Sequence, residues 1–316
     1  MLSRRLQRIK VLQALYAFFQ SDNTEIQKAE NELFLSLNRI YELYIYFLLL
    51  PIEISNVAAQ KIEDYKHKIL PTEEDLNPNL KFVNNKLVAA IANNEEIKTF
   101  AENKKISWQL YNEEVRKLFN IIKQNDIYIQ YMNSNNNSIS EDVGFIVNIY
   151  KILLPEFELI FDKFQEKSIY WNLEDIDYAI MLCIKTFEAY DEQNGKISLM
   201  PIYKDNEDDI AFIKNLFKKT ITHNNENETY ISDKTKNWEI ERIALMDIIL
   251  MKMAITELLH FNSVPVKVTL NEYIEISKSF SSPNSKVFIN GILDKLVAEF
   301  KTKNLINKQG RGLINN

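Results

Sequence analysis

The side chains best suited to chemistry lie towards the two ends of the chain. Arg4, Arg5 and Arg8 stand with Lys10 in an opening stretch of 20 residues that contains no acid. A guanidinium is a planar fork of donors that can grip a phosphate through two parallel bonds. Near the other end, Lys278, Phe280, Lys286 and Phe288 surround the segment SSPNSKV, which contains Asn284, and Asn290 follows. Cations beside aromatic rings suit single-stranded RNA, whose phosphates pair with the cations while splayed bases stack on the rings. Core packing accounts for the two phenylalanines equally well. Residues 300–316 hold Lys301, Lys303, Lys308 and Arg311, again without an acid. Two solvated basic tails are the simpler reading. If the ends meet in the fold, they form one positive patch on a molecule of net charge −6.

Other chemistries find little support. His67, His223 and His260 are isolated, and no Cys/His/Asp cluster has metal-ligand spacing. The 5 glycines (144, 195, 291, 310 and 312) form no phosphate-cradling loop, and no Gly-x-Ser-x-Gly nucleophile motif occurs. The acidic groups Glu73-Glu74-Asp75 and Asp208-Asp209 fall at expected helix starts, where acids complement the helix dipole. Neither catalysis nor a metal or cofactor is expected. The lone Cys183, in IMLCIKTF, reads as an inert packed thiol and suits a reducing cytoplasm. Three early arginines argue against a signal peptide, and the apolar run Tyr44 to Leu50 is too short to span a bilayer, which takes roughly 20 residues. The expectation is a cytoplasmic protein without a membrane partner.

The elements that must position these residues read as helices throughout. Apolar content is 46% and there are few turn residues, 5 Gly and 7 Pro, so the chain is all-α, with about two domains from its 316 residues. A first helix runs from about Ser3 to Phe19, with Leu12, Leu15, Tyr16 and Phe19 as its apolar stripe. A second, from about 25 to 50, is capped by Asn23 or Thr24. Pro51 kinks or ends it, and a further helix continues to about Ile69. Towards the C-terminus, Trp238 begins a helix carrying Ile243, Met246, Ile249, Leu250, Met253 and Leu258, and Val264-Pro265 stops it. Thr269 and Glu272 match a capping box, and Ser282-Pro283 announces a last helix. Gly291 inside that helix costs roughly 1 kcal/mol against alanine, which predicts a close neighbour needing the space.

The middle of the chain repeats itself. Trp108, Trp171 and Trp238 each stand 26 residues after a phenylalanine, namely Phe82, Phe145 and Phe212. Asn85, Asn148 and Asn215 follow those phenylalanines at three residues, and Lys104, Lys167 and Lys234 precede the tryptophans at four. Asp142/Asp209, Ile146/Ile213 and Lys151/Lys218 extend the register between the second and third copies. The pattern predicts three tandem helix–loop–helix units, each tryptophan a structural plug, joined by polar loops NSNNNSISED, KDNEDD and HNNENET.

Two segments carry a family resemblance. VPVKVTLNEYIEISKSF followed by FINGILDK, and RRLQRIKVLQALYAF at the N-terminus, resemble the NusB family of transcription antitermination factors over about residues 2–20 and 206–301. The resemblance implies a helical bundle of two three-helix sub-bundles and binding of boxA-type ribosomal-RNA leader RNA. The first helix and the last loop would make that contact: Arg4, Arg5, Arg8, Lys278, Phe280, Asn284, Lys286, Phe288 and Asn290. It also implies a protein partner, the small-subunit ribosomal protein NusE, at Tyr16, Gln20 and Asp247, within the RNA polymerase antitermination complex. Ser281 and Asn284 depart from the family's usual glycine and acid. Loss of the acid removes a repulsion, so RNA affinity is expected to be kept or raised. The implied organisation is 1–70 and 206–301 as the NusB-like domain, 71–205 as inserted repeats and 302–316 as a basic flexible tail. A helical scaffold using the repeats to bind protein, or a ribosomal-RNA-targeting module, is the alternative.

Overall fold

A computed structural model describes residues 2–21, 25–191, 195–235 and 243–313. Among them the secondary structure is helical, apart from one isolated bridge between Asp191 and Lys196. In chain order the helices are α1 (Arg4–Gln20), α2 (Ile26–Lys66), α3 (Glu73–Leu76), α4 (Lys86–Ala92), α5 (Glu95–Lys104), α6 (Asn112–Gln124), α7 (Asp126–Asn133) and α8 (Ile139–Asn148). Then come α9 (Glu158–Lys167), α10 (Leu173–Glu188), α11 (Asn206–Thr222), α12 (Asn224–Lys234), α13 (Leu245–His260), α14 (Val266–Phe280) and α15 (Ser285–Thr302). The all-α expectation holds. The chain forms two compact units, one of residues 1–35 and 203–316, the other of residues 36–202.

In the first unit, α1, α11 and α13 pack on one another, as do α13, α14 and α15, so α13 serves both groups. That is why α13 is apolar all round, with Ile249, Leu250, Met251, Met253, Ala254 and Ile255 fully buried. Ser3 caps α1 by accepting from the Leu6 amide at 3.2 Å. The expected helix starts downstream shift. α14 begins at Val266, after the extended Pro265, so Thr269 and Glu272 lie inside it and form no capping box. Both are recruited by partners distant in sequence. α15 begins at Ser285, two residues beyond the expected proline start. Ile243 precedes α13, and Trp238 and the Asn23/Thr24 cap lie outside the described residues. HNNENET, expected to be a loop, is the start of α12. Asn227 is buried there and donates to Thr256 Oγ1 at 3.0 Å, a long-range anchor that no local rule reveals. Gly291 is exposed, and a Cβ built there meets nothing within 4 Å, so no neighbour among the described residues accounts for it. The expected flexible tail is fastened at Lys308, whose ammonium donates to the Glu257 and Phe261 carbonyls at 3.3 and 3.0 Å. Those carbonyls belong to the end of α13, where a cation complements the helix dipole.

The second unit is arranged around α2. Pro51 neither ends nor splits this helix, which continues to Lys66. Proline lacks the N–H that would serve the carbonyl four residues earlier. Here the buried Tyr150 hydroxyl donates to that carbonyl, Phe47 O, instead. Other α2 carbonyls also receive side-chain donors. Trp108 and Trp171 donate their indole N–H groups to Tyr46 O and Arg39 O, each at 2.9 Å, and the Cys183 thiol lies 3.5 Å from Tyr44 O. Burial pushes the Cys183 thiol pKa well up, in keeping with an inert thiol. Thus the first two repeat tryptophans are buried fasteners, standing before a 3₁₀ turn and before α10 respectively. The asparagine column has no common role: Asn85 is buried and caps α4, whereas Asn148 and Asn215 are exposed. By length and composition α2 is apolar enough to cross a membrane, but 61% of its most apolar window is buried inside the protein.

Candidate nucleic-acid interface

The three N-terminal arginines have different fates. Arg8 is 2% exposed, and its Nε and Nη2 donate to the two carboxylate oxygens of Glu257 at 2.8 and 2.7 Å. Glu257, wholly buried on α13, also accepts from Thr269 Oγ1 at 2.8 Å and the Tyr273 hydroxyl at 3.1 Å. Burial alone would lower the Arg8 pKa, but Glu257 outweighs it and the net shift is upward. Arg8 is therefore a core anchor joining α1, α13 and α14, and it is withdrawn from the phosphate-facing set. Lys10 is likewise buried.

Arg5 is half exposed and donates through Nε and Nη2 to Glu272 at 3.0 and 2.9 Å, which raises its pKa. Arg4 pairs with Asp208 and, at 3.2 Å, with Asp209, while its guanidinium lies 4.4 Å from the centre of the Phe212 ring. The expected positive patch is thus substantially neutralised by acids on α11 and α14. Sequence reasoning missed Glu272 and Glu275 as partners. Their spacing of three along α14, which puts them on one face, was the available signal.

The last loop meets the first helix through α14. The exposed Glu275 carboxyl is held below its usual range by hydrogen bonding to Lys278, and then by the fields of Arg5 and Lys286. One carboxylate therefore feels a cation from α1, one from the end of α14 and one from the start of α15. Lys278, Asn284 and Lys286 are exposed, and Lys286 has no ion-pair partner among the described residues. Phe280 and Phe288 are half-buried, partly packed and partly open to solvent. Asn290 donates to Asp294 at 3.1 Å.

Asp247 does not form the expected exposed contact. It is 6% exposed and accepts from the Ser281 hydroxyl and, at 2.7 Å, from Ser285 Oγ. It ties the α14–α15 loop to the start of α13, so it is a loop anchor and leaves the partner-facing set. Ser281, unusual at its position by the resemblance, supplies half of that anchor. Tyr16 and Gln20 are exposed one turn apart on α1, and Gln20 Nε2 donates to the Tyr16 hydroxyl at 3.4 Å. Among the described residues, no group of His, Cys, Asp and Glu side chains could hold a metal ion.

The first compact unit is thus an all-α bundle with an exposed loop framed by cations and two half-open rings. The sequence profile of the NusB family matches residues 178–298. The chain is 44% identical over 103 residues to the transcription antitermination protein NusB of Salinibacter ruber, covering 33% of this chain and 64% of that protein. It is 37% identical over 137 residues to the protein of that name from Chloroherpeton thalassium, covering 42% and 65%. With the Geobacter sulfurreducens protein of the same name it shares 39% over 93 residues, covering 29% and 67%. The chain belongs to the NusB family. It spans slightly less than two thirds of the length of the Salinibacter and Chloroherpeton relatives. No solved structure matches it.

Proposed function

We propose that this protein is a transcription antitermination factor of the cytoplasm that binds boxA-type single-stranded RNA where α1, the end of α14 and the start of α15 converge. Arg4, Arg5, Lys278 and Lys286 contact phosphates. Phe280 and Phe288 stack on bases, and Asn284 and Asn290 hydrogen-bond to base edges. NusE docks on the exposed Tyr16 and Gln20, and the complex joins the RNA polymerase antitermination machinery. Function is by affinity and geometry, without catalysis. The observation that supports the reading is that α14 packs against both α1 and α15 and pairs its Glu272 with Arg5 at 2.9 Å and its Glu275 with Lys278.

The test is RNA titration at two salt concentrations, with and without NusE, comparing wild type with Lys278→Ala/Lys286→Ala. Each lost phosphate contact to a single strand is expected to reduce the slope of log affinity against log salt by about 0.7. Unchanged affinity and slope in the double variant would sink the assignment.

A further inference from the structure

The second compact unit holds another concentration of positive charge, in a cavity of about 350 Å³. Arg39 and Glu42 of α2 line it, together with Lys104 at the end of α5, Lys105 just beyond, and Lys167 at the end of α9. Lys104 and Lys167 occupy one column of the internal repeat, so both copies deliver the equivalent lysine to the same cavity. Tyr170 and Trp171 add an aromatic wall.

Four cationic side chains here face a single lining carboxylate. Glu42 is already engaged: it is buried, accepts from Arg39 Nη1, and lies 3.8 Å from Lys104. Among the described residues Lys105 and Lys167 pair with no acid. Lys167 donates instead to the Tyr46 hydroxyl, its ammonium 4.7 Å from the centre of the Tyr46 ring and 5.2 Å from that of Tyr111. Arg39 Nε is buried and has no hydrogen-bond partner among the described residues. Lys105 is held in the left-handed conformation, φ 53°. Cations gathered this closely repel one another, and an anion among them relieves that repulsion. The volume lies at the small end of the roughly 300–1,000 Å³ typical of ligand pockets.

We propose that this cavity binds the phosphate of a nucleotide, either free or as one unit of a single strand. Arg39, Lys104, Lys105 and Lys167 take the oxyanion, with the base against the Tyr170–Trp171 wall. The reading is independent of the interface on the first compact unit, which uses none of these residues.

The experiment titrates the full chain with ADP and, separately, with hexauridylate, following tryptophan fluorescence and calorimetric heat. The variant is Lys104→Gln/Lys105→Asn, in which both positions are exposed and asparagine tolerates the left-handed backbone. Binding about tenfold or more weaker in this variant, with unfolding temperature unchanged, is expected. Such loss for ADP assigns a free nucleotide. Loss for hexauridylate that persists when Lys278 and Lys286 are already alanine assigns a strand. No binding of either probe at about 1 mM, a free energy of only about −4 kcal/mol, overturns the proposal, as does binding undiminished in the variant.

Discussion

Replacing Arg8 with methionine separates a structural arginine from the ligand-facing ones. Methionine keeps most of the volume, so the loss reports charge rather than a cavity. Glu257 would then be wholly buried and deprived of its two guanidinium bonds of 2.8 and 2.7 Å. Breaking one side of a buried ion pair costs about 3–5 kcal/mol, because the remaining charge is left uncompensated. Thr269, Tyr273 and the nearby Lys308 ammonium still face Glu257, which places the expectation at the lower end, about 3 kcal/mol. That reduces the folded-to-unfolded ratio about 100-fold, a large share of a total near 5–15 kcal/mol. Arg5→Met is the contrast. Its pair with Glu272 is half exposed, and such pairs contribute about 0–1 kcal/mol.

The assay is native-state hydrogen exchange of the α13 amides, which reports on the first compact unit by itself. Tryptophan fluorescence would not isolate that unit, since two of the three tryptophans, Trp108 and Trp171, belong to the second. Arg8→Met is expected to lower α13 protection by about 3 kcal/mol, and Arg5→Met by less than about 1 kcal/mol while weakening RNA binding. RNA binding abolished by Arg8→Met with α13 protection intact would refute the reasoning and return Arg8 to the interface. An Arg4/Arg5/Arg8→Ala triple variant mixes the two effects and cannot separate them.

Two further tests follow from buried polar groups. Tyr150→Phe leaves the Phe47 carbonyl with neither an amide nor a hydroxyl donor and should destabilise the second unit by about 1–3 kcal/mol. Pro51→Ala in that background restores an N–H and should recover part of the loss in urea unfolding followed by tryptophan fluorescence; if the two changes simply add, the account of Pro51 is wrong. Burial pulls Lys308 down to about 8 from its usual 10.5, Glu257 opposing the shift. Between those values the unfolded chain holds a proton that the folded chain has lost, so the Lys308 contribution to stability rises with pH from about 8 and is flat below. Lys308→Gln should remove that slope in unfolding measured from pH 8 to about 10, the usual tyrosine value, above which the Tyr273 phenol, raised by burial, pulls the other way. A slope that survives the substitution would assign it to another group.

The helices were legible wherever cap, apolar run and stop lay close together in sequence. Thr72 with Asp75 forms a capping box at α3, and the acids of Asp208-Asp209 do sit in the first turn of α11. Several of the failures share one cause, a local rule overruled by a partner outside the segment. Thr269 and Glu272 fit a cap pattern, yet they serve Glu257 and Arg5, far apart in the chain. Pro51 fits a helix stop, yet Tyr150 restores the missing donor. Arg8 and Asp247 looked like surface charges because their partners, Glu257 and the pair Ser281/Ser285, are remote in sequence. Trp108 and Trp171 were legible as plugs because indole burial is intrinsic to their size. Their target on α2 was not, since carbonyls within a helix leave no mark in the sequence.

The charge arrangement also bears on how the proposed interface engages RNA. Arg4, Arg5 and Lys278 each begin with a carboxylate partner. A phosphate arriving there replaces an acid rather than meeting a bare cation. At an exposed pair that exchange costs about 0–1 kcal/mol, so it does not prevent binding, but the displaced Asp208, Glu272 and Glu275 remain nearby and repel the strand. Lys286 alone among these four cations offers a phosphate an unoccupied partner within the described residues. It is displayed from the first turn of α15, which Asp247 fixes together with the preceding loop through two serine hydroxyls. First contact at Lys286, followed by exchange at Lys278 and Arg5 as the strand settles, is the order this arrangement favours. Lys286→Ala should then slow association, whereas Arg5→Ala should chiefly speed dissociation.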